Sequence, residues 1–266
     1  MEFHCVRMGS GRPLLLLHGL GGSWRSWCTI LPLLRPHRDV IAVDLPGFGD
    51  TPPLGRPTSI PSLADAVTEF LGPQGLFGVD VVGSSMGGRL ALELARRGVT
   101  GSTVALAPGG FWRGWERRYF HRTIWTSVRL VRQLGRTMPR SFAALCHTPV
   151  GRTLLCSQVS ARPWALDGSA VEDEMQSYLR ARCFDELLAS LVSLPEQEGA
   201  PAGSLHKPLS IVWGRQDRVC LPAQAGRASA LFPDARLHWF NHCGHLPQWD
   251  QPEATAELIL EGTQTK

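Results

Sequence analysis

The stretch from Gly83 to Gly87, with the sequence GSSMG, constrains the fold of this 266-residue chain more than any other. An apolar run typical of a strand precedes it at residues 79–82, and a run of helical composition follows at 89–96. A tight strand-to-helix turn strains the backbone of its central residue and lifts that side chain clear of the sheet edge. The flanking glycines have no Cβ, so the strand and the helix can approach closely. The pattern therefore predicts that Ser85 is a nucleophile.

Alternating strand-like and helix-like segments continue along most of the chain. Strands are predicted at residues 3–7, 13–17, 39–43, 79–82, 103–107, 209–213 and 236–240, and helices at 24–34, 62–71, 89–96, 222–231 and 252–260. We expect the second of these helices to begin at Ser62, with Asp65 as its capping partner. Repeated β-then-α units predict an α/β fold with a mainly parallel sheet and helices on both faces. In such sheets the functional site lies at the carboxyl ends of the strands.

The section at residues 109–204 interrupts this alternation. Its helical stretches are separated by Pro139, Pro149 and Pro163. We therefore expect an α/β core segment at 1–108, a helical cap at 109–204 and a second core segment at 205–266. Because inserted segments on a rigid scaffold carry specificity, the cap is the expected substrate selector.

The composition argues against several classes of protein. The formal net charge is +4, and its positive part is nearly all arginine, since the lysines are Lys207 and Lys266. Without a lysine-rich stripe or a nucleic-acid motif, this charge does not predict nucleic-acid binding. Seven cysteines without a C-x-x-C pair are typical of free thiols in a reducing compartment. No apolar run has the length of a signal peptide or a membrane span, so we expect a cytoplasmic protein without an integral membrane segment.

Two further residues complete a candidate catalytic set with Ser85. A serine hydroxyl needs an adjacent base, and that base needs an orienting acid. In this kind of sheet, the acid comes after the serine along the chain and the histidine base comes after the acid. Asp217 lies four residues after a predicted strand, and His245 lies five residues after the next one. These positions predict a triad of Ser85, Asp217 and His245. His242 is the competing base, but Gly244 gives His245 the flexible approach that a catalytic loop needs.

Two backbone N–H groups are candidates for stabilising the oxygen of a tetrahedral intermediate. One belongs to Met86, at the N-terminus of the helix after Ser85, where the helix dipole adds to the effect. The other belongs to Leu20, in the glycine-rich loop after the predicted strand at 13–17. The residues expected to line the pocket beside them are His18, Gly19, Ser84 and Trp249.

The glycine-rich loop has a competing interpretation. With Asp44 at the end of the next strand, it is similar to a dinucleotide site. The G-x-G-x-x-G pattern fails, because Trp24 stands where the third glycine belongs, and a nucleotide site leaves the predicted triad unexplained. We therefore expect no cofactor and no metal. Residues 44–49 are interpreted as a structural turn, with the pocket floor as the alternative.

Five motifs together resemble the α/β-hydrolase superfamily: residues 18–21 (HGLG), 44–49 (DLPGFG), 83–88 (GSSMGG), 214–217 (GRQD) and 244–245 (GH). Within it, the chain is similar to the esterase, lactonase and carbon–carbon hydrolase group with a helical cap. The family usually begins with two antiparallel strands, whereas this chain has room for one. Carbon–carbon hydrolases of the group typically carry Asn before the nucleophile, where this chain has Ser84. Related epoxide hydrolases and haloalkane dehalogenases use Asp as nucleophile, so Ser85 argues against both.

The resemblance and the candidate triad predict a serine hydrolase that cleaves a small carboxylic ester through an acyl-enzyme intermediate. Hydrolysis of a carbon–carbon bond or of a lactone is the alternative on the same triad. A relative that binds a small ligand without turnover is the alternative from a different class of protein.

The predicted cap is charged unevenly. Its first part holds a single acid, Glu116, against Arg113, Arg117, Arg118, Arg122, Arg129, Arg132, Arg136 and Arg140. Its later part is acidic, with Asp167, Glu172, Asp173, Glu174, Asp185 and Glu186. One interpretation is two solvated faces that partly pair with each other. The other is a basic rim that attracts an anionic ester, a thioester or a membrane surface.

Overall fold

The computed structural model describes residues 2–193 and 196–263. Its strands are β1 (Cys5–Met8), β2 (Pro13–Leu17), β3 (Asp39–Val43), β4 (Asp80–Ser84), β5 (Thr103–Leu106), β6 (Leu209–Gly214) and β7 (Arg236–Phe240). They form one sheet in the order β1-β3-β2-β4-β5-β6-β7. β1 pairs antiparallel with β3, and the other pairings are parallel. The predicted fold class, an α/β chain with a mainly parallel sheet, is confirmed.

Helices cover both faces of this sheet. They are α1 (Leu31–Leu34), α2 (Ile60–Leu71), α3 (Met86–Arg96), α4 (Trp115–Thr137), α5 (Pro139–Cys146), α6 (Pro149–Cys156), α7 (Gly168–Arg180), α8 (Phe184–Ser193), α9 (Ala223–Leu231), α10 (Pro247–Asp250) and α11 (Pro252–Gly262). Alternate residues of β2 face opposite sides: Leu15 and Leu17 pack in one apolar cluster with α2 and α3, and Leu14 and Leu16 pack in another with α1 and α11. The leucine run of β2 is therefore explained by burial on both faces.

Two of the predicted helices differ from the structure for a reason that the local sequence explains. Helix α2 begins at Ile60, because Ser59 is its N-cap and exchanges capping hydrogen bonds with Ser62, so Asp65 has no capping role. The predicted helix at 24–34 is divided into a 3₁₀ turn at Trp24–Trp27 and the short α1. Pro32 stands in the first turn of α1, where its missing N–H is tolerated, and it prevents one continuous helix through this stretch.

Helices α4 to α8 lie between β5 and β6, in the section predicted to be the cap. Helix α4 packs against α7 and α8, and an apolar cluster formed by α4 to α7 also includes Trp249 of α10. Arg132 pairs with Asp185 at 2.9 Å, and Arg117 pairs with Glu196 at 3.0 Å. The basic and acidic parts of this section are therefore partly paired with each other. Within the described ranges, no helix combines the length and the hydropathy needed to cross a membrane.

Candidate active site

Ser85 joins β4 to α3 in a strained conformation. Its φ is 56° and its ψ is −114°, in the left-handed half of the map that residues with a Cβ rarely enter. A Cβ on Gly83 would lie 2.0 Å from the carbonyl oxygen of Gly87, and a Cβ on Gly87 would lie 2.2 Å from that of Leu17. Both positions therefore require glycine, because β4, α3 and β2 meet there. The Ser85 N–H donates to the Leu106 carbonyl at 2.8 Å, which ties the turn to β5.

Ser85, His245 and Asp217 form one hydrogen-bonded line. His245 Nε2 lies 2.8 Å from Ser85 Oγ, and His245 Nδ1 lies 2.9 Å from Asp217 Oδ2. The other carboxylate oxygen of Asp217 accepts the N–H groups of Val219 at 2.8 Å and of Cys220 at 3.0 Å. Asp217 and His245 are both buried. With Nδ1 protonated toward Asp217, Nε2 is the lone-pair nitrogen that faces the serine hydroxyl, as a general base must be.

The loops that carry Asp217 and His245 are bonded to each other. The Gln216 N–H donates to the Cys243 carbonyl at 2.9 Å, and the Cys243 N–H donates to Gln216 Oε1, also at 2.9 Å. His242, the competing histidine, is exposed on the same loop and has a left-handed φ of 52°. The structure thus brings His245, and not His242, to Ser85.

A buried carboxylate that the sequence did not single out holds the His245 loop against the helical section. Asp250 Oδ2 accepts the N–H of Gly244 at 2.6 Å and the N–H of Ala161 at 2.9 Å. In addition, the His245 N–H donates to the Val159 carbonyl at 2.8 Å. The bond from Ala161 to Asp250 joins residues 89 positions apart, so no local sequence pattern marks the contact of Asp250 with the helical section.

The two amide groups expected to stabilise an oxyanion both lie beside Ser85. The Met86 N–H is at the first residue of α3, where the helix dipole favours negative charge. The loop that carries Leu20 packs on the serine, since a Cβ on Gly19 would lie 3.4 Å from Ser85 Cβ. Over the residues that the structure describes, neither N–H has a hydrogen-bond acceptor. Both amides are therefore available to a ligand.

His18 orients the peptide group that contains the Leu20 N–H. The Leu45 N–H donates to His18 Nε2 at 3.0 Å, so the ring proton is on Nδ1 and donates to the Gly19 carbonyl at 2.7 Å. Burial lowers the pKa of His18 and keeps the ring neutral, as this tautomer requires. Because the Gly19 carbonyl and the Leu20 N–H belong to one planar peptide group, fixing the carbonyl also fixes the direction of the N–H.

A cavity that is partly open to solvent lies in front of Ser85 and His245. Its apolar wall comes from α4, α8 and four loops: Leu20, Phe120, Ile124, Val128, Val159, Phe184, Val219 and Leu246. Gly19 and Ser84 line it, as expected for pocket residues. His18 and Trp249 do not, because His18 turns back to Leu45, and Trp249 packs with α4 to α7 and donates its Nε1–H to the Ser26 carbonyl at 3.3 Å.

A polar cluster lies on the wall of the same cavity. Ser26 donates to Glu174 Oε2 at 2.6 Å, and the phenol of Tyr178, one turn further along α7, acts on the same carboxyl. Burial raises the pKa of Glu174 to about 7, against the opposing effect of these two hydroxyls. Burial likewise raises the pKa of Tyr178 well above its ordinary value, so the phenol remains a donor.

Two acids interpreted from sequence as parts of solvated faces are buried. Glu174 is 6% exposed and Glu116 is 7% exposed. Glu174 belongs to the cavity, and Glu116 accepts from Arg227 and from the Arg113 N–H. The signal available for Glu174 was its spacing: an acid and Tyr178 four residues apart share one helix face.

The arginines of α4 do not reach this cavity. None of the residues that line it within the described ranges is an arginine or a lysine. Arg113 and Arg118 are exposed, and Arg117 and Arg132 are engaged by acids. Any attraction of anions by these arginines therefore acts outside the cavity wall.

One group of potential metal ligands lies apart from the cavity wall. A ligand atom from each of His4, Asp44 and Asp50 falls within a 4.8 Å span. Asp44 Oδ1 accepts the Trp24 N–H at 2.8 Å, and Asp44 Oδ2 bonds His4 Nδ1 at 2.8 Å and accepts the Asp50 N–H at 3.0 Å. These bonds explain Asp44 as the organiser of a structural turn, which agrees with the interpretation of residues 44–49.

The fold and the serine at its strand-to-helix turn define a class of α/β hydrolase. A model of the alpha/beta hydrolase family matches residues 14–258, and the chain belongs to that family. It is 28% identical over 276 residues to a 2-hydroxy-6-oxo-2,4-heptadienoate hydrolase of Pseudomonas putida, covering 97% of this chain and 91% of the relative.

Solved structures similar to this chain include proteins with different substrates. One is a thermophilic esterase of Thermogutta terrifontis, with 20% identity, a TM-score of 0.74, and coverage of 97% of this chain and 92% of that one. Another is an enol-lactonase of Burkholderia xenovorans, with 16% identity, a TM-score of 0.74, and coverage of 98% and 95%. These likenesses support the fold, and the predicted esterase, lactonase and carbon–carbon hydrolase group is confirmed at the level of the group.

Proposed function

We propose that this protein is a serine hydrolase that cleaves a small neutral carboxylic ester through an acyl-enzyme intermediate. The observation that carries the proposal is the continuous line from Asp217 through His245 to Ser85, at distances of 2.9 Å and 2.8 Å, beside two amides without acceptors in the described chain. A nucleophile, a base, an acid and oxyanion donors are the groups that acyl transfer requires.

In the proposed mechanism, the Ser85 oxygen bonds to the ester carbonyl carbon while the hydroxyl proton moves to His245 Nε2. The carbonyl electron pair moves to its oxygen, which the Met86 and Leu20 N–H groups stabilise. The bond to the alcohol oxygen then breaks, and His245 returns its proton to the leaving alcohol. Water repeats the sequence on the acyl-serine and releases the carboxylic acid. Asp217 holds the imidazole tautomer and stabilises the imidazolium that forms.

The helical section at 109–204 acts in this proposal as a cap. Phe120, Ile124 and Val128 of α4 and Phe184 of α8 contribute to the cavity wall in front of Ser85. An apolar wall excludes water and accommodates an apolar acyl or alkyl group.

Carbon–carbon bond hydrolysis is the second candidate, because the curated relative described above has that kind of substrate by its name. A dienoate substrate carries a carboxylate. The cavity wall in the described ranges offers such a group no arginine or lysine, and it already contains the Glu174 carboxyl. Desolvating an anion there without a cationic partner is unfavourable. The lining therefore favours a neutral ester.

Labelling and turnover together test the proposal. A fluorophosphonate should modify Ser85 in the wild-type protein and leave Ser85→Ala unmodified. A panel of p-nitrophenyl esters with increasing acyl length, a lactone and a vinylogous diketone acid should show the highest kcat/KM for a neutral ester. Highest kcat/KM for the diketone acid would replace ester hydrolysis by the second candidate. Absence of both labelling and turnover would indicate a ligand-binding relative.

A further inference from the structure

The polar cluster of Glu174, Ser26 and Tyr178 is built into the cavity wall without a role in the proposed triad. Glu174 is 6% exposed and Ser26 is 5% exposed. All three residues line the cavity that contains Ser85 and His245. A carboxyl buried in an apolar wall is unfavourable in the free protein unless it is fully hydrogen-bonded. An interaction with a molecule that enters the cavity would explain why the carboxyl is buried there.

The carboxyl of Glu174 can accept further hydrogen bonds, and it has no cationic partner in the described part of the chain. Among the described residues, no ion pair includes Glu174. Its Oε2 accepts from Ser26, whereas Oε1 lies on the side of Gly22, where an added Cβ would come within 3.3 Å of this oxygen. The titratable groups that interact electrostatically with this carboxyl include Asp173, Tyr178, Cys28 and Cys156.

A second acceptor on the same wall has no partner in the described part of the chain. Gln248 is 1% exposed, and its Nε2 donates to Ser84 Oγ at 3.2 Å while Oε1 has no hydrogen bond. Buried acceptors without partners are uncommon in folded proteins. Gln248 Oε1 has no partner, and the Glu174 carboxyl interacts only with hydroxyl groups. Together on one otherwise apolar cavity, these two groups indicate that the ligand supplies hydrogen-bond donors.

On the basis of the proposed ester hydrolase, we propose that Glu174 determines specificity by accepting a hydrogen bond from an alcoholic or phenolic hydroxyl of the substrate. Apart from this hydroxyl, the substrate is neutral and apolar. A substrate carboxylate would meet a like group in a buried site. An ammonium would form an ion pair only with the ionised carboxyl, which burial disfavours. A hydroxyl pairs with both protonation states, and Glu174, whose pKa is raised to about 7, populates both near neutral pH.

Two esters of equal size test this subsite by turnover. The substrates are the p-nitrophenyl esters of para-hydroxyphenylpropanoic acid and para-methylphenylpropanoic acid. The wild-type kcat/KM should favour the hydroxyl ester by about tenfold or more, because a site built around a hydroxyl rejects the analogue that lacks it. Glu174→Leu should abolish the preference, and Glu174→Gln, which keeps an acceptor for Ser26, should reduce it. Glu172→Gln on the same helix is the matched control and should keep the full preference.

Binding gives a readout that does not depend on catalysis. Calorimetry on Ser85→Ala would use the methyl ketones with the same two aryl ends, and the hydroxyl ketone should bind about tenfold more tightly. The same preference without turnover of either ester would refute the proposed function and support the subsite. Turnover without a hydroxyl preference, or a preference that survives unchanged in both Glu174 variants, would overturn the subsite and leave the proposed function standing.

Discussion

At the scale of single residues, Ser85 combines a strained backbone with a bond to a buried histidine. Ser85→Ala should keep the fold, since a small side chain replaces another, and should lower kcat by at least about 10³-fold. Steady-state kinetics on a p-nitrophenyl ester would measure the loss, and circular dichroism would check the fold. Near-normal turnover would remove Ser85 from the mechanism.

His245 and His242 form a matched pair for testing the base. His245→Ala should match Ser85→Ala in kcat within about tenfold, because members of a triad act as a unit. His242→Ala should be mild, since that side chain is exposed and away from Ser85. Asp217→Asn should lower kcat by about 10²- to 10⁴-fold through the loss of tautomer control. A larger loss of kcat in His242→Ala than in His245→Ala would show that His242, and not His245, is the base.

Glu174 should make stability depend on pH. Its pKa is raised from the ordinary 4.5 to about 7 in the folded protein, so the folded state binds more protons than the unfolded state between these values. The contribution of Glu174 to the free energy of unfolding is therefore fully present below pH 4.5. It is lost as the pH rises through about 7, and the total loss is about 3 kcal/mol. Glu174→Gln should remove this decline, and Glu172→Gln should retain it. Denaturant unfolding from pH 4 to pH 8 would measure the difference, and parallel curves for wild type and Glu174→Gln would contradict the assignment.

At the scale of elements, Asp250 of α10 connects the loop that carries His245 to the segment that follows α6. Asp250→Ala would leave the N–H groups of Gly244 and Ala161 buried without an acceptor, and it should destabilise the fold by about 2–4 kcal/mol. It should also lower kcat, because the His245 loop loses its anchor. Glu253→Ala, an exposed acid in α11, is the control and should be nearly neutral. Equal unfolding free energies for the two variants would exclude the anchoring role.

The arginines in and just before α4 should affect turnover only through their long-range electrostatic field. Joint neutralisation of Arg113, Arg117 and Arg118 should lower kcat/KM for an anionic ester by about threefold at low salt, and this loss should disappear as salt rises. A neutral ester of the same acyl group should be almost unaffected, because no arginine of the described chain lines the cavity. Kinetics at two ionic strengths would measure both effects. Equal loss on both esters would instead indicate damaged packing of α4.

At the scale of the whole molecule, the sheet places its functional groups at one edge. Ser85 follows β4, Asp217 follows β6 and His245 follows β7, so three loops at the carboxyl ends of parallel strands converge. The helices between β5 and β6 add the opposite wall of the cavity. One rigid scaffold thus carries the proposed chemistry, and one inserted section carries the proposed specificity.

The sequence by itself determined what depends on short-range patterns. The GSSMG turn, the leucine run of β2 and the β-then-α alternation specify local structure, because glycine requirements and side-chain periodicity act over a few residues. Only the tertiary structure decided that Glu174 lies in the cavity and that Asp250 anchors the His245 loop. The bond from Ser26 to Glu174 spans 148 positions, and the bond from Ala161 to Asp250 spans 89. An acid on a helix has the same local pattern whether it faces water or a cavity, and the packing of the distant segment decides which.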